Sequence, residues 1–210
     1  MLTPDEKTLI EQHSVDINFK KGELIAKQGS FASHVIFLKK GLVKVFLEGN
    51  PKDLILKIIP SNRLLTLSSI YEGNNTFLYS ASTYIDSTAT LIDAEIFKQL
   101  IRMNPKFASK IINILNENTA QVYGRFFALT RKQSHGRVAD ILLCLSQRIY
   151  KNNTFNLALS RNDLADLTGL SPESVIRILK EFKEEKIIQI ENKEFTILDP
   201  ETLERISNYG

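Results

Sequence analysis

The sequence predicts an α+β fold in which a small β-roll precedes a long helix and a compact C-terminal group of helices closed by a β-hairpin. Three observations carry this. Strand-like runs up to about Asp93 are punctuated by Gly22, Gly29, Gly41, Gly49 and Gly73; an apolar seam follows from Ala108 to Leu129; and Ser160 to Phe182 reads as two short helices hinged at Gly169. The corresponding division is residues 1–103 for the roll as effector domain, 104–133 for a dimerisation helix and hinge, and 134–210 for the last domain.

In the first part, HVIFLKKGLVKVFL and DLILKIIP alternate or cluster β-branched residues between turn-forming glycines, the pattern of a β-roll or barrel. From about Asp93 the period becomes helical. The seam Ala108, Ile112, Leu115, Thr119, Val122, Phe126 and Leu129 steps alternately by four and three residues, as in a coiled coil. A second set, Phe107, Ile111 and Ile114, is placed to pack back onto the roll, which leaves the seam for another subunit. The alternative is a seam buried within one chain. The polar stretch Thr130 to Gly136 is the expected hinge, and HGRVADILLCLSQRIY the amphipathic helix after it.

Ser160 is placed to cap the next helix, with Asp163 reaching back toward the free amides. Leu164 and Leu167 face inward, Ala165 allows a close helix crossing, and Gly169 frees the backbone to end the helix. Ser171 caps the following helix, Pro172 takes its first position, and Val175, Ile178 and Leu179 mark its buried face. Glu173, Ser174, Arg177 and Lys180 then point outward. Such residues suit a helix lying in a DNA major groove: Arg177 can donate two bonds to a guanine edge, and Glu173 can accept from a cytosine amino group. Ser171, Ser174 and the exposed amides suit phosphate oxygens. A solvated Glu173–Arg177 ion pair is the plainer alternative. Two apolar runs, Ile187 to Ile190 and Phe195 to Leu198, flank a polar turn at Glu191, Asn192 and Lys193, which makes a hairpin with Lys193 at its tip, in reach of a phosphate.

The remaining composition narrows the function. The chain has 210 residues, 43% of them apolar, and a net charge of +3, so a packed core is affordable and bulk charge says little about partners. No apolar run reaches membrane-spanning length and the N-terminal residues lack signal-peptide character, so no membrane partner and a cytoplasmic location are expected. Cys144 is the only cysteine, which excludes an iron–sulfur cluster held by cysteines of one chain. Three scattered histidines, no glycine-rich phosphate loop and no metal-ligand spacing argue against an enzyme.

The segments KKGELIAKQGS, IFLKKGLVKVF and LSRNDLADLTGLSPESVIRILKEF, in this order around a long helix, resemble the Crp/Fnr family of bacterial transcription regulators over nearly the whole chain. The resemblance implies a cyclic-nucleotide-binding-type β-roll (a double-stranded β-helix), a dimer helix and a winged helix-turn-helix. It implies a homodimer on double-stranded DNA carrying an inverted-repeat operator, and contact with RNA polymerase. The family's phosphate-contacting positions fall on Ser160, Arg161, Ser171 and Ser174, and its Glu-x-x-x-Arg pair on Glu173 and Arg177. Its first base-reading position in the cyclic-AMP branch, an arginine, is Pro172 here. The effector positions fall on Leu65 and Thr66, where cyclic-nucleotide binders carry Gly-Glu, and on Thr76 to Ser80, which hold no arginine. Cyclic AMP is therefore not expected. The N-terminal cysteine cluster of the oxygen-sensing branch is also absent. Haem-using members need an axial ligand, for which His13, His34, Met103 and His135 are the candidates. A rival to transcription control is a cyclic-nucleotide-type ligand module with another regulatory role.

Overall fold

The computed structural model describes residues 2–50 and 52–210. The chain separates into two compact units, one running to Val122 and the other from Tyr123 to Gly210. That division falls within the long helix, whereas the sequence suggests boundaries at either end of it.

The first unit opens with a helix, α1 (Pro4–Gln12), which the hydrophobic pattern does not announce. Its start is nonetheless written locally: Thr3 and Glu6 form a reciprocal capping box, and Pro4 takes the first turn. Eight strands follow: β1 (Ser14–Phe19), β2 (Leu24–Ala26), β3 (His34–Lys40), β4 (Leu42–Leu47), β5 (Leu54–Pro60), β6 (Arg63–Leu65), β7 (Ser80–Thr83) and β8 (Ser87–Asp93). They pair antiparallel in two four-stranded sheets, ordered β1-β8-β3-β6 and β2-β7-β4-β5. Gly41 joins β3 to β4 at φ +123°, where a Cβ would come within 2.9 Å of the Ser87 Cα, so only glycine fits this corner. Ile36, Leu38, Val43, Val45, Leu65, Phe77, Tyr79 and Ala81 belong to one buried cluster that fills the roll.

The switch to helix comes at Asp93, whose carboxylate caps α2 (Ala94–Met103) by accepting from the Glu95 and Ile96 amides. The long helix is α3 (Pro105–Arg131), 27 residues. Phe107 and Ile111 are buried with Phe97, Leu100, Val35 and Ile92, and Ile114 packs against this cluster, as the second apolar set anticipates. Phe97 and Phe107 meet edge to face with centroids 5.3 Å apart. Leu115, assigned by spacing to the outer seam, also leans on this cluster. The large apolar side chains left exposed on α3 are Ile112 and Phe126, joined by Tyr123 and Phe127, which the heptad spacing passes over.

In the second unit, α3 ends at Arg131 and α4 (Ser134–Leu143) begins after only Lys132 and Gln133. The break between the two helices is thus shorter than the Thr130 to Gly136 segment expected as a hinge. Gly136 is buried inside α4, where an added Cβ would lie 2.9 Å from the Gly210 carbonyl carbon, so this glycine serves close packing. A π-helical turn, Cys144–Tyr150, extends α4. Next come β9 (Thr154–Asn156), α5 (Arg161–Thr168), α6 (Pro172–Glu184), β10 (Ile188–Glu191), β11 (Glu194–Ile197) and α7 (Pro200–Tyr209). The predicted hairpin is present as β10 and β11, and β9 adds to it as a third strand, in the order β10-β11-β9. Phe155 of β9 stacks on Tyr150 at 4.7 Å and on Phe195 at 6.2 Å, which ties the sheet to the π turn.

Candidate nucleic-acid interface

The helix pair α5–α6 forms as its sequence dictates. Ser160 accepts from the Asp163 amide while the Asp163 carboxylate accepts from the Ser160 amide, a complete capping box. Gly169 ends α5 in the left-handed region, φ 65° and ψ 28°, donating its amide to the Ala165 carbonyl. Ser171 then caps α6 through the Ser174 amide at 3.2 Å, with Pro172 in the first turn. Val175, Ile178, Leu179 and Phe182 are all buried, which fixes the rotation of α6 about its axis.

That rotation decides what α6 offers to solvent. Glu173, Arg177 and Lys180 are exposed at helical spacing, and Ser174 is half-buried beside them. Ile176 stands on the same exposed surface at 52% exposure, an apolar side chain between charged neighbours. The sequence reading missed it, although an isoleucine outside the buried i, i+3, i+4 set was the available signal. It suits a thymine methyl group. Arg177 does not stand alone: its Nη1 donates to Glu181 Oε1 at 2.9 Å, and Glu181 Oε2 lies 2.6 Å from His135 Nε2 on α4. Hydrogen bonding from His135, followed by the nearby Arg177 charge, holds the Glu181 carboxyl below the usual carboxylate range. Lys180 faces Glu184 at 3.6 Å.

The other expected contact residues divide by environment. The Ser160 hydroxyl is engaged by Asp163 both as donor and as acceptor, and Ser171 donates to the Ser174 hydroxyl. Both serines therefore serve helix caps in the free protein. Arg161 is half-buried with its guanidinium 5.2 Å from the Phe195 ring centroid, so it braces α5 against β11 through a cation–π contact. Burial lowers its pKa. Lys193 is exposed in the turn after Asn192, which takes φ 56°. The Lys193 carbonyl accepts from the Leu157 amide at 2.9 Å, so the turn is anchored by backbone while its side chain reaches outward.

In the roll, the residues at the expected effector positions are turned to the protein itself. Leu65, Thr66 and Ser80 are buried, and Leu65 sits in the core cluster with Phe77 and Tyr79. Thr66 takes φ 64°; its amide donates to the Tyr79 hydroxyl at 2.9 Å and its own hydroxyl to the Leu65 carbonyl at 2.7 Å. Ser80 accepts from the Gln28 amide and donates to Glu48. Thr76, half-buried, forms a β-bridge with Phe31. Burial pushes the Tyr79 phenol up.

The candidate haem ligands lie at four separate places, at the end of α1, in β3, at the end of α2 and in α4. His13 Nδ1 is bonded to the Leu9 carbonyl, His34 Nδ1 to the Ser33 hydroxyl and His135 Nε2 to Glu181, while Met103 is exposed at the end of α2. The roll interior holds Phe77 and Tyr79. Among the described residues no group of three or more His, Cys, Asp or Glu is placed to hold a metal ion. Burial pushes the Cys144 thiol up, away from the thiolate needed for redox chemistry or ligation. No helix among the described residues is long and apolar enough to cross a membrane.

A roll of two antiparallel sheets, a long helix with exposed apolar side chains, and a helix-turn-helix pair backed by a three-stranded wing make up the chain, an architecture shared with winged helix-turn-helix proteins. Comparison with known proteins agrees part by part. The cyclic nucleotide-binding domain family matches residues 16–104, and the Crp-like helix-turn-helix domain family matches residues 136–206. The chain belongs to the Crp/Fnr family of transcription regulators. It is similar to the transcriptional activator protein Anr of Pseudomonas protegens, 26% identical over 186 residues that cover 86% of this chain and 75% of that one. It is also similar to the CRP-like cAMP-activated global transcriptional regulator of Mycobacterium tuberculosis, 26% identical over 90% of this chain and 86% of the relative. Among solved structures, FixK2 from Bradyrhizobium japonicum shares the fold with a TM-score of 0.84 at 19% identity, over 92% of this chain and 96% of that one. The Anr and Mycobacterium relatives are both transcription regulators.

Proposed function

We propose that the protein is a homodimer that binds an inverted-repeat operator in double-stranded DNA and regulates transcription in the cytoplasm. The single observation behind this reading is the exposed face of α6, which carries Glu173, Ile176, Arg177 and Lys180 on a helix whose opposite face is locked into the core. Arg177 reads a guanine, Glu173 a cytosine of a neighbouring base pair, and Lys193 grips a phosphate from the wing. Ser174 and the α6 N-terminal amides supply further phosphate contacts, with Ser160, Arg161 and Ser171 close by in the same helix pair. Two-fold symmetry places the half-sites about one helical turn, roughly 34 Å, apart. The dimer forms along Ile112, Leu115, Thr119, Val122, Phe126 and Leu129 of α3, with Tyr123 and Phe127 flanking.

Residues 1–103 act as the sensor, 104–133 as dimer helix and hinge, and 134–210 as reader. The signal is not cyclic AMP: Leu65 and Thr66 supply no Gly-Glu pair, Thr76 to Ser80 supply no arginine, and Tyr79 fills the interior. Pro172 removes the outer base contact of the cyclic-AMP branch. Anr is named a transcriptional activator, which supports RNA polymerase as the partner downstream of DNA binding.

Binding selection from random DNA, followed by titration of single base-pair variants, tests the reading. Arg177→Ala should weaken operator binding by about 1 to 3 kcal/mol and abolish preference at one base pair per half-site. Lys193→Ala should weaken every sequence alike. Unaltered site preference in Arg177→Ala would overturn the assignment.

A further inference from the structure

We propose that Glu181 and His135 are positioning residues for Arg177, holding its guanidinium in the orientation that reads DNA, so that losing either one blurs base choice at the Arg177 base pair alone. This inference rests on Arg177 being the base reader. An arginine that is 60% exposed has several rotamers of similar energy, and ordering it on binding carries an entropic penalty. Here the order is built in. Glu181 lies one turn after Arg177 on α6 and accepts from its Nη1 at 2.9 Å. The second carboxylate oxygen is taken by His135 Nε2 at 2.6 Å, and the histidine ring rests edge-on against buried Phe182, 6.0 Å between centroids at 60°. The carboxylate is therefore clamped from α4 and cannot follow the arginine as it moves.

Chemistry leaves room for both tasks. A guanidinium carries five N–H donors in a planar fork, so one spent on Glu181 leaves others for the two acceptors of a guanine edge. The same contact means little for stability, since exposed ion pairs of this spacing contribute only marginally. The depressed Glu181 pKa, with His135 as its leading cause, is consistent with a carboxylate that stays charged in this role. His135 stands in the first turn of α4, directly after the break at Lys132 and Gln133, so the clamp reaches α6 from the helix that follows the hinge.

The test is a double-mutant cycle read as base discrimination: the ratio of Kd values for the selected operator and for an operator altered only at the Arg177 base pair. Glu181→Ala should reduce that ratio about tenfold and leave the ratios at other positions unchanged. Total affinity is not the readout, because removing a negative charge near DNA strengthens binding to all sequences. His135→Phe keeps the ring against Phe182 and removes only the hydrogen bond; it should lower the same ratio by a smaller factor and serves as the decisive variant if Glu181→Ala does not fold. Glu181→Gln retains an acceptor oxygen and should restore most of the discrimination. In an Arg177→Ala background neither change should alter the ratio further. Full discrimination in folded Glu181→Ala and in His135→Phe would overturn the clamp while leaving Arg177 as the reader. Full discrimination in Arg177→Ala itself would instead overturn the reading on which the clamp rests.

Discussion

Phe126→Ala should take the proposed dimer apart. Phe126 is 68% exposed on α3, one of four large apolar side chains left bare on that helix. Burying a whole phenylalanine side chain is worth up to about 3 kcal/mol, so the exposed fraction makes roughly 2 kcal/mol available to a partner. In a two-fold interface the residue occurs once on each side, and the loss doubles to about 4 kcal/mol. At about 1.4 kcal/mol per tenfold, the dimer dissociation constant should rise by about 100- to 1000-fold, the lower figure allowing for relaxation around the truncated side chain. Sedimentation equilibrium over a concentration series reads this directly. Tyr209→Ala removes an even more exposed aromatic, at 87%, but from the end of α7, and should leave the constant unchanged. A dimer unaffected by Phe126→Ala, or equally weakened by Tyr209→Ala, would refute the assignment of the α3 stripe. A monomeric parent protein would do so sooner.

Two further predictions concern stability. Gly169→Ala forces a side chain into the left-handed region at φ 65° and brings its Cβ within 3.2 Å of Leu129 Cδ2, so urea denaturation should show a loss of about 1 to 2 kcal/mol; an unchanged midpoint would show that the helix joint does not need glycine. Asp199 caps α7, and its carboxyl is held below the usual range chiefly by the Thr202 amide. A depressed carboxylate stabilises fully above its unfolded value, about 3.9, and stops doing so as pH falls through the lower folded value. Asp199→Asn should therefore flatten the acid limb of the stability curve, measured by urea melts from about pH 2 to pH 6, and an acid limb as steep as the parent's would contradict this.

The legibility of the sequence followed how local each signal was. The α5–α6 pair was readable because every turn of it is written in neighbouring residues: Ser160 with Asp163, Gly169, Ser171 with Pro172, and the spacing of Val175, Ile178 and Leu179. The same kind of signal stood unread at Thr3 with Pro4 and Glu6, and at Asp199 with Pro200, where the caps are clear but the helices are short and, in the first, the apolar periodicity is weak. The strand β9 is too short, at three residues, to show alternation; it exists because Phe155 finds Tyr150 and Phe195. The roll was recognisable as a class from its glycines, but its filled interior was not. Whether Tyr79 points into or out of the roll depends on register, and its bond to the Thr66 amide joins residues from two separate segments. The Glu181 link to His135 was equally hidden, because it spans 46 positions. Exposure of Ile176 follows from the rotation of α6, which sequence spacing did fix; only the habit of assigning isoleucine to the interior concealed it.

The tether between the wing turn and Leu157 has a mechanical meaning. Because the loop's main chain is pinned ahead of α5, the ammonium of Lys193 moves only about its own side-chain bonds, like a finger on a fixed knuckle. Much of the freedom that a floppy tip would surrender on meeting a polyanion has already been given up during folding, so the encounter loses little more. Lengthening this loop by a few glycines should consequently loosen the grip on every duplex through entropy alone, with the preferred bases left as they were.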